Sequence, residues 1–526
     1  MRLIKKRPAL WIYFVPASIL LPLCAALIAL KIIHIDALRG DSAIYFQTAR
    51  NIAAHGTPTS SLFTHVLFFV QSHLPKMTAS AIAASPLLTP PGGNENILRL
   101  HSYFVLFPIG LFAKIIPVEW LLPIVFALSF VGLVYLAVVM LLRRSIPAWG
   151  AAIFGLMVMT HPAWGESILF GQFYPDRIFV LSGFVFMALA SRERAPRWAF
   201  IAVGLLCASI NERGALTAGG ALLLYTLLYW RTVPDRTFKL VTSVALVVFG
   251  ELMLKVVVVN SAYSTFLPTS LHALLKELQQ PHFVNGILVL LLVNAALFAI
   301  AFFEWRAALV ALVVMLPNVF GNIGGAEKTG WSTHYHSFYF PILVWAALLG
   351  FVRAYHLACE RRVKWLFYCG AVAALLLIGS IVPFAGVPEI ALTQLAQTFV
   401  PTVIEQVQTF VSPRGVALYR LGQEVAAAVP EGASVTTPEA GMPFLYHERS
   451  VYFFPMNIDT ADYAVLAVWP NGNGYTYGGA VSFLGAAELS RVNNVILKRM
   501  RKDGYDLNHP HVIPGLGIAI VKRKKR

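Results

Sequence analysis

The sequence predicts an α-helical polytopic membrane protein with about 11–13 transmembrane helices and a small C-terminal α/β domain. Composition is the first observation: 58% of the 526 residues are hydrophobic, only 13% are charged, and mean hydropathy is +0.68. A soluble domain carries about half apolar and about a quarter charged residues, so an ordinary soluble enzyme and a disordered chain are both excluded. The second observation is a succession of apolar stretches of spanning length from residue 8 to 384. The third is a change of character near residue 385, after which no long apolar run occurs.

Taken in order, the first run extends from Pro8 to about Ile33 behind the basic flank Arg2, Lys5, Lys6 and Arg7. It is too long for a signal-peptide core and lacks a small-residue cleavage site, so it reads as an uncleaved first span. Further apolar stretches cover 97–117, 119–142, 149–166, 177–190, 198–230, 239–259, 283–303, 307–321, 337–352 and 365–384. The stretch 198–230 is long enough for two short spans, broken at Asn211, Glu212 and Arg213.

Basic clusters orient the spans. Arg143 and Arg144, the group Arg192, Arg194 and Arg197, then Arg231, Arg236 and Lys239, then Arg306, and finally Arg353 with Arg361, Arg362 and Lys364 read as cytoplasmic, like the N-terminus. The alternate loops then face outward: 34–96, 167–176, 211–213, 260–282 and 322–336. One parity conflict remains. If 97–117 and 119–142 both span, Arg143 and Arg144 fall outside; either the segment after His101 is re-entrant or this pair breaks the rule.

Residues 1–384 thus form a transmembrane domain with a long first periplasmic loop, 34–96, and residues 385–526 form a small periplasmic α/β domain. Strand composition at 433–437, 451–454 and 463–468 and helical patterns at 415–428 and 485–502 support the second assignment. The basic tail Lys522 to Arg526 reads equally as a cytoplasmic lipid-facing patch.

Net charge is +16. Roughly 28 of the basic and 14 of the acidic side chains precede residue 385, so the excess follows the orienting loops and reports topology. A nucleic-acid partner is therefore not implied. The four cysteines, Cys24, Cys207, Cys359 and Cys369, lie in or beside apolar stretches, with no disulfide or CxxC pattern. Phosphate-binding loops, nucleophile elbows, HExxH and dinucleotide fingerprints are absent.

Any chemistry must come from polar groups in the outward loops. The first loop is richest, with Asp41, Tyr45, Gln47, Arg50 and His55. From Ser42 to about Ala54 the spacing of Ala43, Ile44, Phe46, Ala49, Ile52 and Ala53 is helical, with Asp41 at the helix N-terminus. There a carboxylate is a cap stabilised by the helix dipole, or a base held at the membrane surface to take a proton from an acceptor hydroxyl. Glu212 and Arg213, charged in an apolar region, either cap two short spans or face a cavity, with Arg213 on a phosphate. Arg177, after Asp176 at the end of a span, invites the same reasoning. His101, in an apolar run, reads as a buried, hydrogen-bonded histidine. In the loop 321–336, Lys328, His334 and His336 lie near a membrane surface as lipid-phosphate contacts or interfacial anchors; two His two apart do not make a metal site without further ligands. The segment 260–282 has the leucine spacing of an amphipathic surface helix.

With these residues in view, the chain resembles the GT-C superfamily, the membrane glycosyltransferases that use polyprenyl-phosphate sugars. More narrowly, it is similar to a prokaryotic membrane-protein family known only as a domain of unknown function. The matching places are Asp41 to Pro58, Leu100 to Ser102 with Pro108, His161 and Pro162, Phe173 to Asp176, Glu212, Tyr335 and His336 with Pro341, Ala433 to Val435, and Ala461 to Tyr463. Where that family has an acid and a His before Pro175, this chain has Gln172 and Tyr174, with Glu166 and Asp176 nearby.

The resemblance implies a GT-C-like fold in the bacterial inner membrane and a sugar transfer by inverting displacement. The donor is a polyprenyl-phosphate-linked sugar, and the acceptor a periplasmic or lipid-linked glycan. By analogy with the superfamily's first-loop acid, Asp41 is the base. Tyr45, Gln47, His101, Glu166, Tyr174, Asp176, Arg177, Glu212, Arg213, Lys328, His334 and His336 are the substrate-binding candidates. The resemblance assigns no certain cofactor, and a divalent metal is left open. The rival reading is a transporter or flippase of lipid-linked glycans, against which stand the polar first loop and the appended domain.

Overall fold

The computed structural model describes residues 10–33, 40–62, 95–161, 163, 173–258, 272, 275–276, 279, 281–320, 336–384, 413–438, 441–445, 450–454, 457–471, 474–478 and 486–524. The protein is mostly helical, with one small mixed sheet near the C-terminus. Among the described residues, five segments are long and apolar enough to cross a membrane: Trp11–Ala29, Val118–Arg143, Arg236–Val256, Val293–Pro317 and His336–Glu360. Shorter apolar helices, Ala148–Thr160, Arg197–Ile210 and Lys364–Leu375, accompany them. Exposed Leu, Val, Phe and Trp stud these helices, as they do where lipid replaces water.

The described helices are α1 Trp11–Ile33, α2 Gly40–His55, α3 Leu106–Phe112, α4 Val118–Arg143, α5 Ala148–Thr160, α6 Phe179–Ala190, α7 Arg197–Ile210 and α8 Glu212–Leu228. They continue as α9 Arg236–Val256, α10 Pro281–Ala301, α11 Trp305–Phe320, α12 His336–Glu360, α13 Lys364–Phe384, α14 Pro413–Ala428, α15 Met442–Leu445 and α16 Ala486–Lys502. The strands are β1 Thr59–Ser60, β2 Glu95–Asn96, β3 Val435–Thr437, β4 Val451–Phe453, β5 Tyr463–Asn471, β6 Gly474–Gly478, β7 His511–Ile513 and β8 Ile518–Lys522. The chain divides into two compact units.

The first unit comprises residues 1–29, 98–105 and 123–407. Its most buried helix is α12, packed against α6, α10 and α11, with Trp345, Tyr339 and Phe340 fully enclosed. Next to it α8 lies along α9. Glycines set this approach: a side chain at Gly219 would meet the Ser243 carbonyl at 3.0 Å, and one at Gly250 the Glu212 carbonyl at 2.9 Å. Small residues at such crossings are how helices associate where the hydrophobic effect is weak. The predicted pair of short spans in 198–230 is present as α7 and α8, divided at Asn211. Asn211 leaves the helix with extended backbone and accepts the Gly214 N–H at 2.8 Å, capping α8.

Segment 97–117 is not a span. It forms a 3-10 turn at Ile97–Arg99, non-helical backbone through 101–105, and only the seven residues of α3. His101, Ser102 and Pro108 interrupt the apolar run, and the freed backbone finds partners: Val105 N–H donates to the Ser209 carbonyl at 2.7 Å, at the end of α7. Non-helical backbone at such a place persists because protein groups satisfy it. This removes the parity conflict, since the next long apolar helix is α4.

The second unit comprises residues 30–97, 106–122 and 408–526. Helix α2 is where periodicity predicts it, and Ala43, Ile44, Phe46, Ala49 and Ile52 are its buried face. It packs on α3 so closely that a side chain at Gly110 would overlap Ile52. The sheet runs β4-β3-β5-β8-β7, with β6 paired to β5. β3 is parallel to β4 and β5, whereas β5 and β8, β7 and β8, and β5 and β6 are antiparallel. Ala464, Val465 and Leu466 in the central β5 are all buried, the apolar run of a strand covered on both faces. Ala464 and Leu466 join Ile496 and Met500 of α16 in the core. Strands β3, β4 and β5 and helices α14 and α16 lie where the sequence predicts them, whereas β6, β7 and β8 are not among the predicted strands.

Candidate functional site

Among the described residues, four of the five buried charged side chains of the first unit, Asp176, Arg177, Glu212 and Arg213, lie around the break between α7 and α8; the fifth is Lys239. Glu212, the first residue of α8, is completely buried. One carboxylate oxygen lies 2.6 Å from His101 Nδ1; the other accepts the Ser102 N–H at 3.0 Å and the Ser102 hydroxyl at 3.2 Å. An ionised carboxylate can only accept, and with Glu212 in that form the bond uses a hydrogen on His101 Nδ1. Glu212 thereby holds the non-helical 101–105 segment to the start of α8.

On the adjoining turn, Pro175–Ile178 forms a 3-10 helix leading into α6. Asp176 accepts from Asn211 Nδ2 at 2.5 Å, so Asn211 caps α8 with its oxygen and ties Asp176 with its nitrogen. Arg177 is also buried, its guanidinium 5.5 Å from the centre of the Phe126 ring. Arg213 is buried as well. This end of the helical unit therefore encloses two acids, two arginines and a histidine, which apolar surroundings exclude unless they pair or serve a polar ligand.

The opposite end of α8 carries a second polar contact set. Tyr229, which follows α8, donates its hydroxyl to Glu304 at 2.6 Å, and Arg353 meets the other Glu304 oxygen at 2.6 Å. Arg306 lies over the Tyr229 ring. The 17 residues of α8 separate the two sets, about 25 Å at 1.5 Å per residue.

An apolar groove of about 620 Å³ runs between α7 and α9, lined by Phe104, Gly204, Leu205, Ala208, Ser209 and Leu246 among others. Phe104 belongs to the segment that carries His101, and Ser209 bonds Val105. The groove thus borders the segment held by Glu212.

No family model and no curated protein matches the chain. Among solved structures, the chain is similar to the crystal structure of ArnT from Cupriavidus metallidurans in the apo state. Identity is 15% and the TM-score 0.41, over 89% of this chain and 99% of that one.

The residues singled out in the sequence have varied fates. His101, Asp176, Arg177, Glu212 and Arg213 are all buried in the first unit, and the bonds above join His101 to Glu212. Tyr174 precedes the 3-10 turn and is half-buried. His336 begins α12 and is buried; the turn carrying Asp176 packs on that helix. Asp41 is the second residue of α2, at the predicted helix start; its side chain lies outside the described set.

In the second unit, Tyr45 is buried, and the Gln47 amide is bonded to the protein's own chain. Gln47 Oε1 accepts from Ser60 Oγ at 2.5 Å, Ser61 N–H at 2.9 Å and Leu62 N–H at 3.2 Å, while Nε2 donates to Ser61 Oγ at 2.9 Å. Glu166, Lys328 and His334, and most of the predicted surface helix 260–282, lie outside the described residues. Among the described residues no group of three His, Cys, Asp or Glu could hold a metal.

Sequence reading missed Ser61 and the pairing partners Ser102 and Asn211. Asn211 stood at the predicted break, where a cap is expected. Ser61 lies in a short polar stretch with no periodic signal.

Proposed function

We propose that the protein is a GT-C-type membrane glycosyltransferase of the bacterial inner membrane, which transfers a sugar from a polyprenyl-phosphate donor to a periplasmic or lipid-linked glycan. The observation that carries this reading is the cluster of buried acids, arginines and His101 at one end of an apolar helical unit. Burying that many charges is costly, and ligand chemistry is the usual reason to keep them. The groove beside Phe104 and Ser209 suits the hydrocarbon of a lipid-borne substrate.

In the proposed reaction the acceptor hydroxyl attacks the anomeric carbon and Asp41 takes its proton. The bond from that carbon to the phosphate oxygen breaks, and the lipid phosphate leaves with inversion. A phosphate leaving group already carries its charge, so cations matter more than a strong acid; Arg177 and Arg213 are assigned to it. The contact set joins Tyr229, after α8, and Glu304, between α10 and α11, to Arg353 within α12; the basic residues Arg231, Arg306 and Arg361 nearby in sequence support reading this end as cytoplasmic. The Glu212 end, the N-terminal tail and the α/β domain then follow as outward, cytoplasmic and periplasmic.

The break at Asn211, which leaves the N-terminus of α8 among buried charges, favours one second reading, a flippase of lipid-linked glycans built on a discontinuous span. Purified protein in nanodiscs is to be incubated with polyprenyl-phosphate sugars and candidate acceptors, beside a liposome assay of lipid-linked glycan translocation. Sugar transfer by the wild type, lost in Asp41→Asn, supports the enzyme. Translocation without transfer overturns it in favour of the flippase.

A further inference from the structure

Within the second unit, one chain of hydrogen bonds joins the helix that bears Asp41 to the edge of the C-terminal sheet. Strand β4 is an edge strand. On its inner side Val435 N–H takes the Ser450 carbonyl and Phe454 N–H the Thr437 carbonyl. In such a parallel ladder the N–H and C=O of the intervening Val451 point away from β3. Both are taken by a single hydroxyl: Ser61 Oγ donates to the Val451 carbonyl at 2.6 Å and accepts its N–H at 3.1 Å.

A serine hydroxyl rotates freely unless its partners fix it. Here Gln47 Nε2 donates to the same oxygen, and Gln47 Oε1 binds Ser60 Oγ and the N–H groups of Ser61 and Leu62. Gln47, Ser60, Ser61 and Val451 are all buried. Helix α2 also packs on α15, the short helix between β3 and β4. Asp41 lies less than two turns before Gln47 on α2.

We propose that Gln47 and Ser61 are positioning residues: they couple the order of the C-terminal sheet to the setting of α2, so that the sheet fixes the helix from which Asp41 acts. The activity arm rests on the reading of Asp41 as base; the coupling does not. Gln47 thereby acts through the 60–62 segment and not by touching substrate.

The full-length protein in nanodiscs, as wild type, Ser61→Ala, Ser61→Thr and Gln47→Glu, is to be followed by hydrogen exchange and by donor-dependent transfer kinetics. Ser61→Ala is expected to speed exchange roughly tenfold both at Val451 and along residues 42–53 of α2. It is expected to lower kcat roughly tenfold with KM nearly unchanged. Ser61→Thr, which keeps the hydroxyl, restores both. Gln47→Glu keeps the acceptor oxygen but loses the amide donor, and gives an intermediate loss.

Faster exchange confined to 451–453, with α2 unchanged, overturns the coupling. A lowered unfolding temperature with faster exchange in α2 but kcat unchanged overturns the positioning role and leaves the coupling alone standing. Should Ser61→Ala fail to fold, Gln47→Glu gives the same readouts against Ser61→Thr as control. A wild type that transfers no sugar removes the functional reading alone, and the exchange measurement still decides the coupling.

Discussion

Nδ1 of His101 lies 2.6 Å from a carboxylate oxygen of Glu212, and both side chains are buried. Through this bond and the two from Ser102, one acid fastens a non-helical segment onto a helix start 110 residues along the chain. Glu212→Ala strips three hydrogen bonds from a buried site and is expected to cost about 3–5 kcal/mol. Glu212→Gln, which keeps an acceptor, should cost about 1–3 kcal/mol. Thermal unfolding in detergent checks the order; equal stability of the two variants would contradict it.

Asn211 has two duties, capping α8 through Gly214 N–H and donating to Asp176. Asn211→Asp should keep the cap while setting two carboxylates against each other, and Asn211→Ala loses both bonds. Loss of a cap alone costs about 1 kcal/mol, so a larger loss in the Asp variant than that figure marks the Asp176 contact as the dominant one. Unfolding midpoints of the two variants decide this.

Where the base assignment is concerned, Asp41→Asn is expected to reduce transfer by about 10²–10⁴-fold, the usual contribution of a positioned base. The unfolding temperature should fall by only a few degrees at most, because Asp41 is a first-turn residue of α2 whose charge contributes about 0.3–1 kcal/mol with the helix dipole. Activity and melting measured on one preparation separate the two effects.

The close contact between α2 and α3 gives a packing prediction. Gly110→Ala places a methyl group against Ile52, and overpacking of this kind costs about 1–3 kcal/mol. The double variant Gly110→Ala with Ile52→Ala, which removes the Ile52 Cγ2 that the new methyl meets, should recover part of the loss. Additive losses in a double-mutant cycle would show that the two residues do not meet.

Burial, and then the neighbouring Asp459, raise the Asp503 carboxyl above its ordinary value. A native value above the unfolded one means that folding favours the protonated form, so the C-terminal domain gains stability as pH falls through the raised value toward the ordinary carboxylate range. Asp506 runs the other way. Burial raises it, but His509, the 508 and 509 amides and Lys524 outweigh that and lower it, so its contribution is lost only below the ordinary range. Hydrogen exchange in α16 between pH 7 and pH 4 should therefore slow, after correction for intrinsic rates, and Asp503→Asn should abolish that gain.

How much of this was legible in the sequence depended on range. The helices followed from apolar length and periodicity, and the division at Asn211 from polar residues within an apolar run. His101, Asp176, Arg177, Glu212 and Arg213 stood out because each is anomalous among apolar neighbours. Their pairing did not, since His101 meets Glu212 at a separation of 111 residues and Ser61 meets Val451 at 390, and no local pattern encodes such distances. Segment 97–117 has the length and hydropathy of a span, but three interruptions and a carbonyl supplied by α7 decide otherwise. Strands β6 to β8 escaped notice because each is three to five residues long and is defined by its partner, β5 for β6 and β8, and β8 for β7, more than by its own alternation.

The hydroxyl of Ser61 on β4 also bears on solubility. An edge strand with unsatisfied N–H and C=O groups is a template for pairing with another chain, and at Val451 both groups are already occupied by a side chain, not by a strand. A single residue so placed ends the sheet without extending it. Residues 413–526 produced alone would lack Ser61 and present that edge bare, and are expected to self-associate; the same residues supplied with a peptide of residues 40–62 should stay monomeric in sedimentation.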